Sequence, residues 1–453
     1  MDIKFYNSLT KKKEIFTPHQ PNCVSMYVCG VTPYDYPHLG HGRVYINFDI
    51  LFRLLTFLGH SVTYVRNFTD IDDKILARAE KEGTPNDYST VAQRFIDLFH
   101  QSMHTLNCLP PTHEPRVTQY IPQIIDFIAD LVANENAYVI GHDVYFDITS
   151  FSGYGKLSGR GEEDLMAGAR VEIDTRKRSP GDFVLWKGNK EQTDNEQKFW
   201  NSPWGYGRPG WHIECSVMIK TLLGQTIDIH GGGADLVFPH HENEITQSES
   251  LHGHPLAHFW LHNAFITINK EKMSKSLGNF ITLHKLFEHY DPMVFRYFIL
   301  QHHYRTPIDF ADAELLASQT AYKKIVALLG EQIPPGKEQP VLLMKKFPLI
   351  KDLLSALCDD LNTPKFLGLV FENLATIKEE GELARAVKQI FTNVLGLTLQ
   401  PLKEKKCEIT PEIQTLIEQR EQARLDKNWA LSDQLRSKLQ ELGYTVEDKK
   451  SNK

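Results

Sequence analysis

The chain has 453 residues, 41% of them hydrophobic and 24% charged, with a formal net charge of -7. That length holds roughly three domains, and the acidic balance excludes a basic protein that coats nucleic acid indiscriminately, though not a specific RNA contact through a local basic face. No apolar run approaches the roughly 20 residues that span a bilayer, and the start Met1-Asp-Ile-Lys-Phe-Tyr-Asn7 has no basic-then-apolar leader pattern, so a cytoplasmic chain is expected.

In chain order, residues 1–24 hold a strand candidate, Ile3–Tyr6, and a basic turn at Lys11–Lys13. Ser25–Val28 are apolar and β-prone and predict a buried strand. A loop rich in Gly, Pro and His follows. Val44, Phe48, Leu51, Leu55 and Leu58 then recur at helical spacing up to a stop at Gly59, and Ser61–Val65 is the next strand. The result is a β–loop–α–β unit over about 25–67, whose first βα loop is where open parallel sheets bind ligands. Asp70–Asp73 caps a helix that ends at Gly83. Helical segments are expected at 88–106 and 116–135, and a hairpin at 137–150. The stretch 151–210 is rich in Gly, charge and turns, with few strong elements. The pattern resumes at Trp211–Cys215, with strands at Ile227–Ile229 and Ala264–Ile268 and a helix at His240–Ser250. Beyond 283 it is almost wholly helical, with breaks at Gln332–Pro340 and Pro401–Pro411. Two helices and a strand candidate, Tyr444–Val446, close the chain.

Several groups of residues carry chemistry. Gly40 and Gly42 flank His41 at a helix entry, where free N–H groups attract phosphate, and His38 is spaced to face the same anion; two solvated loop histidines are the plain alternative. The cysteines, Cys23, Cys29, Cys108, Cys215, Cys358 and Cys407, form no C-x-x-C pair, which favours metal binding or packing over disulfides. His240 and Glu244 are four apart and share a helix face; with Cys29 and Cys215 they make a donor set suited to zinc. Buried structural cysteines and a surface histidine are the alternative, and His241 and Glu242 are rival ligands. Gly231, Gly232 and Gly233 after a strand would let the backbone lie against a nucleoside, with Asp235 accepting from a ribose, unless they form a flexible surface turn. Lys272-Met273-Ser274-Lys275-Ser276-Leu277-Gly278 sets two cations and two hydroxyls in a small loop, as phosphate displacement needs. Near the end, Trp429 with Arg424 and Asp433 either stacks on an unpaired base or packs between the terminal helices.

Together these residues resemble the class I aminoacyl-tRNA synthetases. His38-Leu39-Gly40-His41 is similar to the HIGH signature, with Leu for Ile, and Lys272–Ser276 matches KMSKS letter for letter. Tyr27–Gly30, Asn67–Lys74, Gly210–Cys215, His230–Asp235, Phe238–Glu244, Asp359–Pro364 and the Trp429 helix narrow the resemblance to the cysteinyl-tRNA synthetase family over nearly the whole chain. The resemblance implies one zinc ion on Cys29, Cys215, His240 and Glu244. It implies ATP contacts at His38, Gly40, His41, Gly231, Gly232, Asp235 and Lys275, Mg²⁺ arriving with ATP, and charge balance by His38, His41, Lys272 and Lys275. Gly30, Thr69 and Trp211 would line the amino-acid pocket, and Arg424, Trp429, Asp433 and Asp448 would read the anticodon.

The implied partners are L-cysteine, ATP and tRNA-Cys, without a membrane, for a cytoplasmic monomer. The implied reaction forms cysteinyl-adenylate and passes cysteine to the terminal ribose of the tRNA. A soft metal would separate cysteine from serine, which an ordinary pocket distinguishes by only about 1–3 kcal/mol. Because four protein ligands close a zinc site, either a fifth ligand is accepted or Glu244 gives way. The implied fold is α/β: a Rossmann-type parallel sheet at 1–109 and 206–282, split by a connective insertion at 110–205. A stem-contact region (283–330), a helical bundle (331–400) and a small anticodon-binding domain (401–453) follow. A ligase charging an amino-sugar on the same core, and a non-catalytic RNA-binding paralogue, are the rivals. The Trp429 helix argues against the first, and intact His38, His41 and Lys275 against the second.

Overall fold

A computed structural model describes residues 1–160, 176–191, 198–268, 270–272, 280–334, 336–402, 411–426 and 428–441. Lys275 with the rest of 273–279, Cys407, Asp448 and the strand candidate at 444–446 lie outside them.

The chain opens with a two-stranded antiparallel ribbon, β1 (Lys4–Asn7) and β2 (Lys12–Ile15). The expected basic turn is thus mostly strand: lysines are tolerated on an exposed edge, where they also discourage further pairing. β3 (Cys23–Val31), α1 (Leu39–Phe57) and β4 (Ser61–Phe68) form the predicted βαβ unit. Both strands run about three residues beyond their expected ends, so Cys29 and Gly30 lie inside β3 rather than after it. α2 (Asp73–Lys81, capped by Asp72), α3 (Tyr88–Thr105) and α4 (Ile121–Ala133) follow close to expectation. The expected hairpin is β5 (Ala137–Ile140) and β6 (Asp143–Phe146). Two strands not expected from the sequence, β7 (Phe183–Gly188) and β8 (Gly207–Pro209), extend it into a four-stranded antiparallel sheet. α5 (Trp211–Leu223), β9 (Ile227–Gly233), α6 (Glu242–His252) and β10 (Ala257–Asn263) complete the core, β10 again without a sequence forecast.

The central sheet is parallel, in the order β10-β9-β3-β4. From β3 the chain crosses to β4 on one side and to β9 and β10 on the other. The β3–β9 boundary is therefore the switch point where a crevice opens beyond the strands' carboxyl ends. Alternation along β3 sets its two faces. Val24, Met26 and Val28 pack with Phe48, Leu51 and Leu55 of α1, while Tyr27 and Cys29 point the other way, among Val65, Ile213, Cys215 and Met218.

After β10 come β11 (Ile266–Ile268), β12 (Glu271–Lys272), α7 (Leu283–His289), α8 (Pro292–Leu300) and β13 (Ile308–Phe310), and then helices as far as Asn393. Arg296 on α8 is wholly buried and fastens this part to the sheet. It pairs with Asp49 of α1 and donates to Leu106 O at 2.8 Å and Leu395 O at 2.7 Å. Breaking such a buried pair by removing one partner costs about 3–5 kcal/mol. Helices Pro411–Leu425 and Trp429–Glu441 stand at the end. Among the described residues no helix is long and apolar enough to cross a membrane.

Candidate active site and metal centre

Four donors from three elements converge on the β9 side of β3. Cys29 comes from β3, Cys215 from α5, His240 from the turn before α6, and Glu244 from its first turn. The two sulfurs are 3.9 Å apart, Cys215 Sγ is 3.6 Å from His240 Nε2, Cys29 Sγ is 3.6 Å from Glu244 Oε1, and His240 Nε2 is 3.0 Å from Glu244 Oε1. With Zn–S near 2.3 Å and Zn–N near 2.0 Å, a tetrahedral zinc site has edges of about 3.8 Å between sulfurs and about 3.5 Å from sulfur to nitrogen. The cage has those dimensions, and all four residues are buried. Its electrostatics also ask for a cation. Burial opposes ionisation of Cys215, but its hydrogen bond with Cys29 and then His240 pull the thiol down to about 6. Cys29 is pushed well up, by burial first and then by Cys215.

His241, the rival ligand, is also close, 3.3 Å from Cys29 Sγ, and forms a second set with His230, Cys29 and Glu244. The two sets share Cys29 and Glu244, so a single ion would use only one of them. The first holds two sulfur donors, the softer set that zinc favours. Glu242, the other rival, turns away: it accepts from the backbone N–H groups of Leu157 and Ser158.

The residues that orient this cage were not anticipated. His230, fully buried on β9, faces Glu244 Oε2 at 2.8 Å and stacks on Trp260 with ring centroids 4.4 Å apart. It thereby leaves Oε1 turned toward the sulfurs. His212 faces His240 Nδ1 at 2.9 Å, and His262 faces His241 Nδ1 at 2.8 Å. Outer partners of this kind typically set metal affinity within about 10–100-fold. His230→Gln is accordingly expected to weaken zinc about 10- to 100-fold in competition with a chromophoric chelator; unchanged affinity would remove His230 from the site.

Beside the cage, Gly30 admits no side chain. A Cβ there would fall 1.5 Å from Asn67 O, and its N–H donates to Asn67 Oδ1 at 2.8 Å. Thr69 is buried and donates to Glu214 Oε2 at 2.8 Å, so its hydroxyl is oriented by a residue the sequence did not single out. Trp211 is 41% exposed and stacks on His240 at 4.2 Å. Gly30 adjoins Cys29 in the chain and Trp211 stacks on His240, while Thr69 reaches this region through Glu214, which precedes Cys215.

Across the switch point lies the histidine pair. His38 caps α1: its Nδ1 accepts from the N–H groups of Gly40 at 3.1 Å and His41 at 3.4 Å, and its own N–H donates to His41 Nδ1 at 3.3 Å. The rings stack at 3.7 Å. Both Nδ1 atoms accept, so both neutral rings carry their proton on Nε2. Of the neutral and charged donors that the spacing allowed, this favours the neutral one: burial, and then His38, push His41 well below the usual histidine range. The unfolded chain binds the extra proton. The cap's contribution is thus present above pH 6.5, the unperturbed histidine value, and is lost as pH falls below it. Gln at this capping-box position keeps the reciprocal bond without titrating. His41→Gln should therefore shrink the drop in urea midpoint between pH 7.5 and 5.5; an undiminished drop would contradict the assignment.

Gly231, Gly232 and Gly233 are not a surface turn: they are the buried end of β9. A Cβ on Gly231 would strike the Phe48 ring at 2.3 Å, and one on Gly232 would meet His241 at 3.0 Å. Asp235 is exposed just beyond them. Lys272 ends β12. On the far side of 273–279, Thr282 bridges His38, Leu283 N–H donates to Pro37 O, and the Phe280 ring stands 5.2 Å from that of His38. Trp429 is 60% exposed at the start of its helix, which overturns packing between the terminal helices. Arg424 lies in the last turn of the preceding helix and Asp433 in the second turn of the Trp429 helix.

Residues 15–320 match the model of the class I (C) tRNA synthetase catalytic domain, and residues 407–453 that of the cysteinyl-tRNA ligase anticodon-binding domain. The chain is 45% identical to the cysteine–tRNA ligase of Pelobacter propionicus, covering 99% of this chain and 98% of the relative. The chain belongs to the cysteine–tRNA ligase family. That of Endomicrobium trichonymphae is 46% identical over the same shares. In fold, this ligase is similar to Mycobacterium tuberculosis methionyl-tRNA synthetase in complex with methionyl-adenylate. The TM-score is 0.56 at 15% identity, covering 83% of this chain and 88% of that one. It is also similar to the LeuRS of Agrobacterium radiobacter K84, with a TM-score of 0.58 at 11% identity over 84% of each chain. As a family member it is a class I synthetase and an enzyme, which removes the non-catalytic rival.

Proposed function

We propose that this ligase activates L-cysteine with ATP and transfers it to the 3'-terminal ribose of tRNA-Cys, releasing AMP and pyrophosphate, as a monomer in the cytoplasm. The observation that carries the reading is the zinc-sized cage of Cys29, Cys215, His240 and Glu244 across the switch point from the His38–His41 pair. When bound, zinc supplies a preference for sulfur over oxygen and lowers the thiol pKa. Gly30, Thr69 and Trp211 shape the space beside it. The cysteine carboxylate then faces the α-phosphate of ATP, held over the start of α1.

No protein nucleophile is needed; the work is positioning and charge stabilisation. Nε2–H of His38 and of His41 donate to phosphate oxygens, and Gly40 leaves the helix N-terminus open to them. Gly231, Gly232 and Asp235 line the nucleoside side. Positive charge comes from Lys272, Lys275 and the Mg²⁺ that accompanies ATP. Arg424, exposed Trp429, Asp433 and Asp448 contact the anticodon, with Trp429 stacking on a base. The match over residues 407–453 supports tRNA over an amino-sugar as the acceptor. The test is cysteine-dependent exchange of pyrophosphate into ATP, followed by charging of tRNA-Cys. Exchange with cysteine but not serine is expected. Absent exchange overturns the activation step, and exchange without charging overturns the transfer step.

A further inference from the structure

One motif has no part in the chemistry above: Asp359-Asp360-Leu361-Asn362-Thr363-Pro364, far along the chain among the helices that follow the sheet. Asp360 is fully buried, and its backbone and that of Leu361 are both left-handed, at φ 64° and 52°. Two consecutive non-glycine residues in that region are strained, and such strain persists only where surroundings impose it. They do so here from three directions. Asp360 N–H donates to Lys4 O at 2.8 Å, and Oδ1 accepts from Tyr6 N–H and from Tyr304 Oη, each at 2.8 Å. Oδ2 accepts both Nε and Nη2 of Arg305, at 2.9 and 2.5 Å. Asn362 then caps the next helix through Lys365 N–H, which fixes the motif's far end.

Tyr304 and Arg305 belong to the segment His303–Phe310, which is gripped from its other side by the start of α1. Arg43, two residues after His41, is 1% exposed. Its guanidinium donates to the carbonyls of Phe265 at 2.6 Å, His303 and Tyr304 at 3.2 Å each, and Thr306. The same segment carries the hairpin that leads into Lys272. β13 pairs in parallel with β11, and Asp309 Oδ1 accepts from Thr267 Oγ1 at 2.8 Å and Lys270 N–H at 2.7 Å. One short stretch of backbone thus supports both the helix that presents His41 and the hairpin that presents Lys272, and its anchor is a carboxylate among the later helices.

We propose that Asp360 is a positioning residue for cysteine activation: through Tyr304 and Arg305 it holds the His303–Phe310 segment on which the α1 entry and the Lys272 hairpin both rest. The inference rests on the activation reaction proposed above. It concerns phosphate geometry, so it predicts a slower chemical step with unchanged capture of cysteine. Misplacement of reacting groups by about 1 Å costs up to about 100-fold in rate.

The test is pyrophosphate exchange by the full-length zinc-loaded enzyme carrying Asp360→Asn, Arg305→Gln, Arg43→Lys, and the Arg43→Lys pair with each of the other two. Asn keeps one acceptor for Tyr6 and Tyr304 but turns an N–H₂ group toward Arg305. Arg305 is exposed, so Arg305→Gln decides the matter if Asp360→Asn does not fold. The expected result is a fall in kcat of about 10- to 100-fold with KM for cysteine within twofold of the parent. The paired variants should be no slower than the slower single variant, because both changes release one segment. The proposal is overturned if kcat stays within twofold whatever happens to Tm, if KM rises in place of kcat, or if the losses simply multiply. A parent enzyme that performs no exchange would instead overturn the activation reading itself.

Discussion

Cys215→Ala is expected to leave the protein without stably bound zinc and to remove most of its preference for cysteine over serine. The side chain is 2% exposed and sits on α5 where its sulfur meets Cys29 and His240, so removing it breaks the two-sulfur set and, among the described residues, leaves only the set of Cys29, His230, His241 and Glu244 in place. Losing one of four donors from a closed tetrahedral set removes a large part of the binding free energy. Alanine leaves a small apolar gap and no steric conflict, so the chain should still fold. Elemental analysis after dialysis against a chelator should give about one zinc per parent chain and near zero for the variant. Discrimination by kcat/KM in pyrophosphate exchange should fall to the roughly 10- to 200-fold that an apolar pocket manages between near-isosteres. The experiment also decides between the two overlapping donor sets. If the variant keeps a full equivalent of zinc at parent affinity, the ion lies on Cys29, His230, His241 and Glu244, and Cys215 is a neighbour.

Of the four candidate donors, only one pair carried a local signal. Spacing of i,i+4 puts His240 over Glu244, whereas Cys29, expected just past its strand, and Cys215 were joined to them only by donor type and by the family resemblance. What spacing cannot supply is which distant residues meet. His230 and His262 lie on β9 and β10 and reach the cage only because those strands lie side by side. His212 carries a faint local signal, one turn ahead of Cys215 on α5. The histidine pair was read as two donors facing one anion, whereas half of each ring is spent on capping α1; a capping role for Nδ1 is invisible until the loop's path is known. Among the elements, β10 escaped notice because Ala257–Asn263 mixes two histidines and an asparagine into a buried strand. β7 did because charge and glycine surround it. In both, tertiary packing outweighs local pattern.

Lys275→Ala should reduce kcat for pyrophosphate exchange by about 100- to 1,000-fold, the usual consequence of removing one preorganised group that meets developing charge. The side chain is not among the described residues, but both ends of its segment are held. On one side β12 is paired to β11, and on the other Leu283 and Thr282 bond to Pro37 and His38. Lys275 is five positions before Phe280, whose ring stands against that of His38, so covalent reach alone keeps the Lys275 Cα within about 18 Å of the Phe280 Cα. Since His41 is a neutral donor, the pair at the helix entry adds no charge to offset what builds up on the phosphates. In the proposed reaction the cationic share then falls on Lys272, Lys275 and Mg²⁺. In that reaction, cysteine capture depends on the metal cage and on Gly30, Thr69 and Trp211. Zinc content and cysteine affinity of Lys275→Ala, followed by the sulfur-to-metal absorption of the cobalt-substituted protein, should therefore match the parent. Lys275→Arg, which keeps the charge on a different fork, should recover part of the rate. An equal loss of cysteine binding would place Lys275 in the amino-acid pocket instead. A rate within tenfold of the parent would mean that the charge is met by the other cations alone.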